Sequence, residues 1–161
     1  MNAIVAVSKN WGIGNKNKLL FSIPQDMKFF RETTKDSVVI MGRKTLESFP
    51  GKKPLKNRVN IVLTTHMDYQ AEGAIICHSV NDAVSLAKRE KKNIFVIGGS
   101  MIYEELLPYC KKIYVTKVDA DAPADSFFPN LDNLSDWKQT ECSETLTDNG
   151  YNFKFTTYEH I

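Results

Sequence analysis

Asp26 is the acid whose neighbours make it most suited to proton chemistry. On a helix of about 3.6 residues per turn, Ile23, Met27 and Phe30 form the buried stripe, and Asp26 falls at its edge. A carboxylate there is partly desolvated. Two readings suit it: an acid in the first turn favouring the helix macrodipole, or an acid in an apolar pocket with a raised pKa or a cationic, hydrogen-bonding ligand opposite. Three further segments could hold phosphate. Ile40-Met41-Gly42-Arg43-Lys44-Thr45 carries a glycine followed by two cations, Ile97-Gly98-Gly99-Ser100 pairs two glycines, and Leu63-Thr64-Thr65-His66 offers hydroxyls and an imidazole. Unpaired N–H groups at a helix start, with Arg43 and Lys44 beside them, suit a phosphate, and glycines let backbone approach it closely.

These segments need a scaffold that brings them to one edge. Short β-branched runs at Ile4–Val7, Val38–Met41, Val59–Leu63, Ala74–Cys77, Ile94–Ile97 and Ile113–Val118 read as six strands, several apolar on both faces. Helical patterns separate them. One starts near Ser22 or Ile23, with Ser22-x-x-Gln25 as a capping box and Pro24 in its first turn, and runs to about Thr34; others follow Gly42, Ser79 and Gly99. After Pro129 the pattern changes to strand-like Trp137–Glu144 and Tyr151–Glu159 around the turn signal Asp148-Asn149-Gly150. The expectation is one α/β domain over residues 1–161: an eight-stranded, mostly parallel twisted sheet with a C-terminal antiparallel hairpin and four flanking helices. In such a sheet the three polar segments all lie at the carboxyl ends of strands, where ligands bind.

Composition fits this class. Of 161 residues, 42% are hydrophobic and 25% charged, as in a soluble globular domain, and the net charge of +2 gives no general nucleic-acid or membrane surface. Cys77, Cys110 and Cys142 are odd in number and widely spaced, His66, His78 and His160 have no metal-ligand spacing, and no Ser, His and Asp grouping forms a nucleophilic triad. Neither disulfides nor a metal is expected. No apolar run approaches the roughly 18 to 20 residues of a membrane span, and a cytoplasmic protein is expected. Trp11 and Trp137 read as packing residues, and the lysine-rich runs at 88–92 and 111–112 as surface.

Two glycine turns, a cation pair and a polar strand end at one sheet edge suit a long ligand with several phosphates. A dinucleotide fits, and a basic pair favours NADP over NAD. The usual Gly-x-Gly-x-x-Gly fingerprint is missing, because Gly12-Ile13-Gly14 is followed by Asn17 and by loop-like sequence up to Ser22. That stretch reads as a mobile flap that admits ligand.

From end to end the chain resembles the dihydrofolate reductase family. The resemblance rests on Ile4-Val5-Ala6, Gly12-Ile13-Gly14, Ile23-Pro24-Gln25-Asp26-Met27 through Phe30, Ile40 through Thr45, Pro54-Leu55 with Arg58, Val96-Ile97-Gly98-Gly99 with Ile102-Tyr103, and Asp125-Ser126-Phe127-Phe128-Pro129. It implies NADPH-dependent reduction of 7,8-dihydrofolate to tetrahydrofolate, feeding one-carbon metabolism, in a monomer open to antifolate inhibitors. Asp26 would hold the pterin and support protonation at N5, with Thr116 fixing that acid and Leu19 on the flap completing the catalytic group. Ile4, Ala6, Met27, Phe30, Phe49, Leu55, Ile97 and Tyr103 would wall the substrate, and Arg58 would pair with the glutamate α-carboxylate. Ala6, Ile13, Leu19 and Tyr103 would lie near the nicotinamide, with Val5, Gly42, Leu63, Ile97, Gly98 and Ser126 also on the cofactor side. Lys44, Thr45, Gly99, Ser100 and Ile102 would line the pyrophosphate, and Arg43, Thr64 and Thr65 the 2′-phosphate.

Three positions depart from the family pattern. Leu20-Phe21 replaces a common Pro-Trp pair, which removes an indole N–H and alters the water network expected near the pterin. Ser100 replaces a third glycine or alanine, adding a hydroxyl contact or crowding a phosphate. The segment Lys52-Lys53-Pro54-Leu55-Lys56-Asn57-Arg58 is more basic than usual, which favours polyglutamylated folate. Two other readings are a riboflavin-pathway pyrimidine reductase, against which Asp26 and Arg58 argue, and a non-catalytic nucleotide-binding module, against which Asp26, Thr116 and the glycine flap argue together.

Overall fold

Strand segments with apolar side chains on both faces must be covered on both sides, and in the computed structural model, which describes residues 1–161, they are. The chain forms β1 (Asn2–Val7), β2 (Gly12–Asn15), β3 (Lys18–Leu19), α1 (Pro24–Thr34), β4 (Val38–Gly42), α2 (Arg43–Glu47), β5 (Val59–Leu63) and β6 (Ala74–Cys77). There follow α3 (Val80–Arg89), β7 (Ile94–Gly98), α4 (Ser100–Leu106), β8 (Lys112–Val118), β9 (Ser126–Phe127), β10 (Trp137–Cys142), β11 (Leu146–Asp148) and β12 (Tyr151–His160). The main sheet runs β10-β12-β8-β1-β7-β4-β5-β6, parallel from β8 through β6 and antiparallel where β12 joins β8 and β10. No helix is long and apolar enough to cross a membrane.

Alternation along each strand sorts the core into two layers. Ala3, Val5, Val7, Val38, Ile40, Val96, Ile113 and Val115 pack on one face with Ala83, Val84 and Ala87 of α3 and Tyr103 and Leu106 of α4. Ile4, Val39, Met41 and Phe95 lie on the other with Leu46 of α2 and Phe29 and Phe30 of α1. Ser79 caps α3 by accepting the Asp82 N–H, and the expected turn at Asn149-Gly150 takes two positive φ angles, 50° and 82°.

Four expectations change. The main sheet has nine strands rather than eight, because the segment after Pro129 divides into β10 and β11, both paired with β12, and the β10 pairing shifts register between Gln139 and Glu141. Gly12 to Leu19 is not wholly loop: β2 and β3 form a hairpin that pairs with β9 as a second, three-stranded sheet. Its turn is built from Lys16 and Asn17 at φ 49° and 61°, without the glycine that signals such a turn. Ser22 does not cap α1. Ile23 is the N-cap without a side-chain bond, and the Gln25 N–H instead donates 2.8 Å to Asp148 Oδ2 in the distant hairpin. Finally, Met27 is half exposed, because α1 packs through Phe29 on Phe155, at 4.6 Å between ring centroids, and through Ile23 in a cluster with Val118 and Phe153.

Candidate active site

A crevice opens where β1 leaves β7. The two strands pair only at Asn2–Phe95 and Ala3–Val96, while β1 stays in register with β8 through Val7. From Ile4 onward, β1 is therefore free on its β7 side, and the Ile4 carbonyl takes its hydrogen bond from the buried Tyr103 hydroxyl at 2.7 Å. Tyr103 is 5% exposed, and burial pushes its hydroxyl far above the ordinary phenol range, so it remains a neutral donor. β7 slips register between Ile40 and Met41 of its neighbour β4, at the point where Gly98 adopts φ +129°. A side chain at Gly98 would be strained in that conformation.

On the α1 side of the crevice stands Asp26. Thr116, which alternates with Tyr114 on the same strand face, donates 2.6 Å from Oγ1 to Asp26 Oδ1. Thr116 is 3% exposed and sits beside Ala6 in the β1–β8 register. Burial raises the Asp26 pKa, and the Thr116 hydrogen bond opposes that rise. Asp26 is both the acid in the first turn of α1 and a part-buried, hydrogen-bonded one, so the two readings of it are compatible in the structure. Ile4, Phe30, Phe49, Leu55 and Ile97 gather with it in the same apolar layer. Arg58 closes the far end, donating from Nε to Thr34 Oγ1 at 2.9 Å, from Nη1 to the Lys56 carbonyl at 2.7 Å and from Nη2 to the Arg31 carbonyl at 3.2 Å.

On the other side the glycine turns meet. A Cβ at Gly42 would come within 3.0 Å of Ile102 Cγ1 and 4.0 Å of the Gly99 nitrogen, and one at Gly99 would lie 3.7 Å from Thr45 Oγ1. Glycine at 42 thus lets α2 and α4 begin side by side at adjacent strand ends, with Lys44, Thr45 and Ser100 in their first turns. Val5, Ile13, Leu63, Ile102 and Tyr103 belong to this second layer. Arg43 is held by Glu47, Nη1 to Oε1 at 2.7 Å. At the end of β5, Thr64 is buried and Thr65 exposed; the Thr64 hydroxyl accepts the His66 N–H, and His78 Nδ1–H donates 2.8 Å to the Thr64 carbonyl.

Leu19 and Ser126 stand apart from these groups. Leu19 is 79% exposed on β3, and Ser126 lies in β9 opposite Gly14. The hairpin that carries Leu19 is tied down by three bonds: Asp125 Oδ2 accepts the Lys16 N–H at 2.9 Å, Asn15 Nδ2 donates to the Pro123 carbonyl, and Asn17 Nδ2 donates to the Lys44 carbonyl. Sequence reasoning named none of these ties as functional, nor Glu47 and His78. The i, i+4 spacing of Arg43 and Glu47 was the one readable signal.

An open α/β sheet with a crevice at its carboxyl edge, a part-buried acid on one wall and paired glycine turns on the other is the arrangement of a nucleotide-binding enzyme. The "Dihydrofolate reductase" family model matches residues 1–160. A dihydrofolate reductase of Staphylococcus haemolyticus is 36% identical over all of this chain and 96% of its own length, and one of Bacillus subtilis is 35% identical over 97% of this chain and 92% of its own. A solved dihydrofolate reductase from Enterococcus faecalis, complexed with NADP(H) and RAB-propyl, superimposes with a TM-score of 0.88 at 36% identity, covering 99% of this chain and 95% of that one. The chain belongs to the dihydrofolate reductase family.

Proposed function

We propose that this enzyme reduces 7,8-dihydrofolate to 5,6,7,8-tetrahydrofolate with NADPH, as one domain over residues 1–161, a monomer in the cytoplasm. The observation that carries the reading is the hydrogen bond of part-buried Asp26 to buried Thr116 beside the crevice between β1 and β7. An acid so placed has one face against Thr116 and leaves its other oxygen for the amino group and ring nitrogen of a pterin. Its pKa is raised by burial and the Thr116 hydroxyl keeps it oriented, so from the amino edge of the pterin it supports protonation at N5. Ile4, Ala6, Phe30, Phe49, Leu55 and Ile97 wall the pterin and benzoyl rings, with Met27 at the exposed rim. Arg58, fixed through three of its N–H groups, keeps one N–H on each terminal nitrogen for the glutamate α-carboxylate.

The residues opposite fit a dinucleotide phosphate. Gly42 leaves room beside Ile102 and the Gly99 nitrogen, and Gly99 leaves room beside Thr45, which matches backbone approach to a pyrophosphate with Lys44, Thr45, Ser100 and Ile102 around it. Arg43, Leu63, Thr64 and Thr65 would hold the 2′-phosphate, with the Glu47 pair keeping the guanidinium extended until it is used. Val5, Ala6, Ile13, Gly98 and Tyr103 would border the nicotinamide, and Leu19 and Ser126 belong to the flap system that covers it. NADPH, when bound, supplies the hydride that passes to pterin C6. The chain's own part is to set the two rings face to face, exclude water and hold the pterin's amino edge on Asp26, which supports protonation at N5. The test is dihydrofolate-dependent loss of NADPH absorbance; a protein that binds NADPH but oxidises none with dihydrofolate would move the reading to a pyrimidine reductase or a non-catalytic module. The basic segment from Lys52 to Arg58 favours polyglutamylated dihydrofolate among the substrates.

A further inference from the structure

We infer that the cavity on the β8 side of β1 is a second binding site, for a phosphate group, separate from the crevice on the β7 side and independent of the substrate proposed above. The cavity has a volume of about 360 Å3, inside the range of roughly 300–1,000 Å3 in which small-molecule sites fall, so it admits the body of a phosphomonoester as well as the free ion. Three lysines and two acids line it: Lys9, Lys117, Lys154, Asp119 and Asp132. Lys117 and Lys154 stand directly opposite one another in the antiparallel β8–β12 register, a like-charge pairing that an anion between them would relieve.

The acids do not cancel the lysines. Asp132 is committed, since Oδ1 accepts the Tyr158 hydroxyl at 2.6 Å and Oδ2 the Lys117 ammonium at 3.2 Å. Lys117 also donates 3.2 Å to Gln139 Oε1 and lies 5.5 Å and 5.1 Å from the ring centroids of Trp11 and Tyr158, so this ammonium is fixed and keeps a third N–H to offer. Asp119 pairs with Lys9 at 3.4 Å, and both side chains are more than half exposed, so the contact is weak enough for an incoming anion to displace. Lys154 is in no ion pair. One fixed ammonium, an unpaired one opposite it and the Thr145 hydroxyl give a phosphate charge-assisted donors from two strands and a loop. Occupancy also reaches the flap, because Ser8 and Trp11 line the cavity and Ser8 Oγ accepts the Gly12 N–H at 3.0 Å where β2 begins.

The experiment fills the crevice of isotope-labelled protein with NADP+ and folate, then titrates it with glycerol phosphate, inorganic phosphate or chloride at matched ionic strength while NMR follows the amide and indole N–H signals. Lys154 is exposed on β12, so Lys154→Gln keeps the fold and serves as the comparison. Saturable shifts are expected at the Trp11 indole and at the Gly12, Lys117 and Thr145 amides with both phosphates, not with chloride, and binding should be about fivefold weaker in Lys154→Gln. Tighter binding of glycerol phosphate assigns the site to a phosphomonoester and equal binding to the free ion; either supports it. Shifts that never saturate, that chloride reproduces, or that Lys154→Gln leaves unchanged would overturn the site and leave the lysines as solvated surface.

Discussion

Removing the Thr116 hydroxyl isolates the contact on which the site depends. Thr116→Val keeps the β-branched shape that suits the middle of β8 and leaves no void, so the change acts through one bond, 2.6 Å from Oγ1 to Asp26 Oδ1. A hydrogen bond to an ionised carboxylate is worth about 1.5–3 kcal/mol, and a neutral one about 0.5–1.5 kcal/mol. At a pH where Asp26 is ionised, the variant should lose an amount in the first range, a drop in melting temperature of about 2–4 °C per kcal/mol for a chain of this size. The hydroxyl opposes the rise that burial imposes on the Asp26 pKa, so its loss lets that pKa climb further. The stability penalty is therefore full above the Asp26 pKa of the folded variant and falls toward the neutral value as pH drops below that of the parent. The assay is urea unfolding of parent, Thr116→Val, Asp26→Asn and the double variant across pH, with kcat/KM for dihydrofolate measured alongside. The apparent pKa of the rate profile should move upward in Thr116→Val. A penalty independent of pH, or one as large in the Asp26→Asn background as in the parent, would refute the reasoning, because the hydroxyl would then act through packing alone.

Asp26→Asn alone should be more stable than the parent at neutral pH, because a folded pKa raised by burial means that stability is lost as pH rises through it; thermal melts should show the difference closing toward a pH of about 4. Arg43→Ala should raise the KM for NADPH about tenfold or more and leave that for NADH nearly unchanged, as steady-state kinetics would show; equal losses would remove the 2′-phosphate assignment. Gly98→Ala should cost about 1–3 kcal/mol in urea unfolding, since φ +129° is closed to a residue with a Cβ, and should weaken NADPH binding as well. In thiol labelling of the native protein, exposed Cys142 should react quickly, while Cys77 and Cys110 wait for unfolding, the buried Cys110 thiol being pushed up to about 12.

What could be read in the residues depended on how local the signal was. The central strands and the need for helices on both sides follow from two-faced apolar runs, and the Asn149-Gly150 turn from its residue types; which helix covers which face came only from the structure. The meeting of Gly42 with Gly99 follows once β4 and β7 are adjacent and parallel. The second sheet was hidden because Lys16 and Asn17 take positive φ without glycine, and because β9 lies more than a hundred residues beyond β2. The α1 start is legible, with Pro24 in its first turn, but its cap is not: its first free N–H is satisfied by Asp148, a partner no local pattern reveals. Met27 shows the limit of periodicity, which gives a helix a face but not the element that will cover it. Asp26 was legible as a residue at an apolar edge, whereas its partner Thr116 came from the family resemblance and needed the β1–β8 register to show why it reaches.

The central claim is that this chain passes hydride from NADPH to dihydrofolate with Asp26 supporting protonation. The most direct measurement follows nicotinamide absorbance with purified protein, NADPH and dihydrofolate, using NADH and Asp26→Asn as controls. Rapid oxidation that requires dihydrofolate, prefers NADPH and falls sharply in Asp26→Asn while the variant stays folded is the predicted result. Turnover unchanged in Asp26→Asn at neutral pH, or no oxidation by a parent protein that binds NADPH, would contradict it.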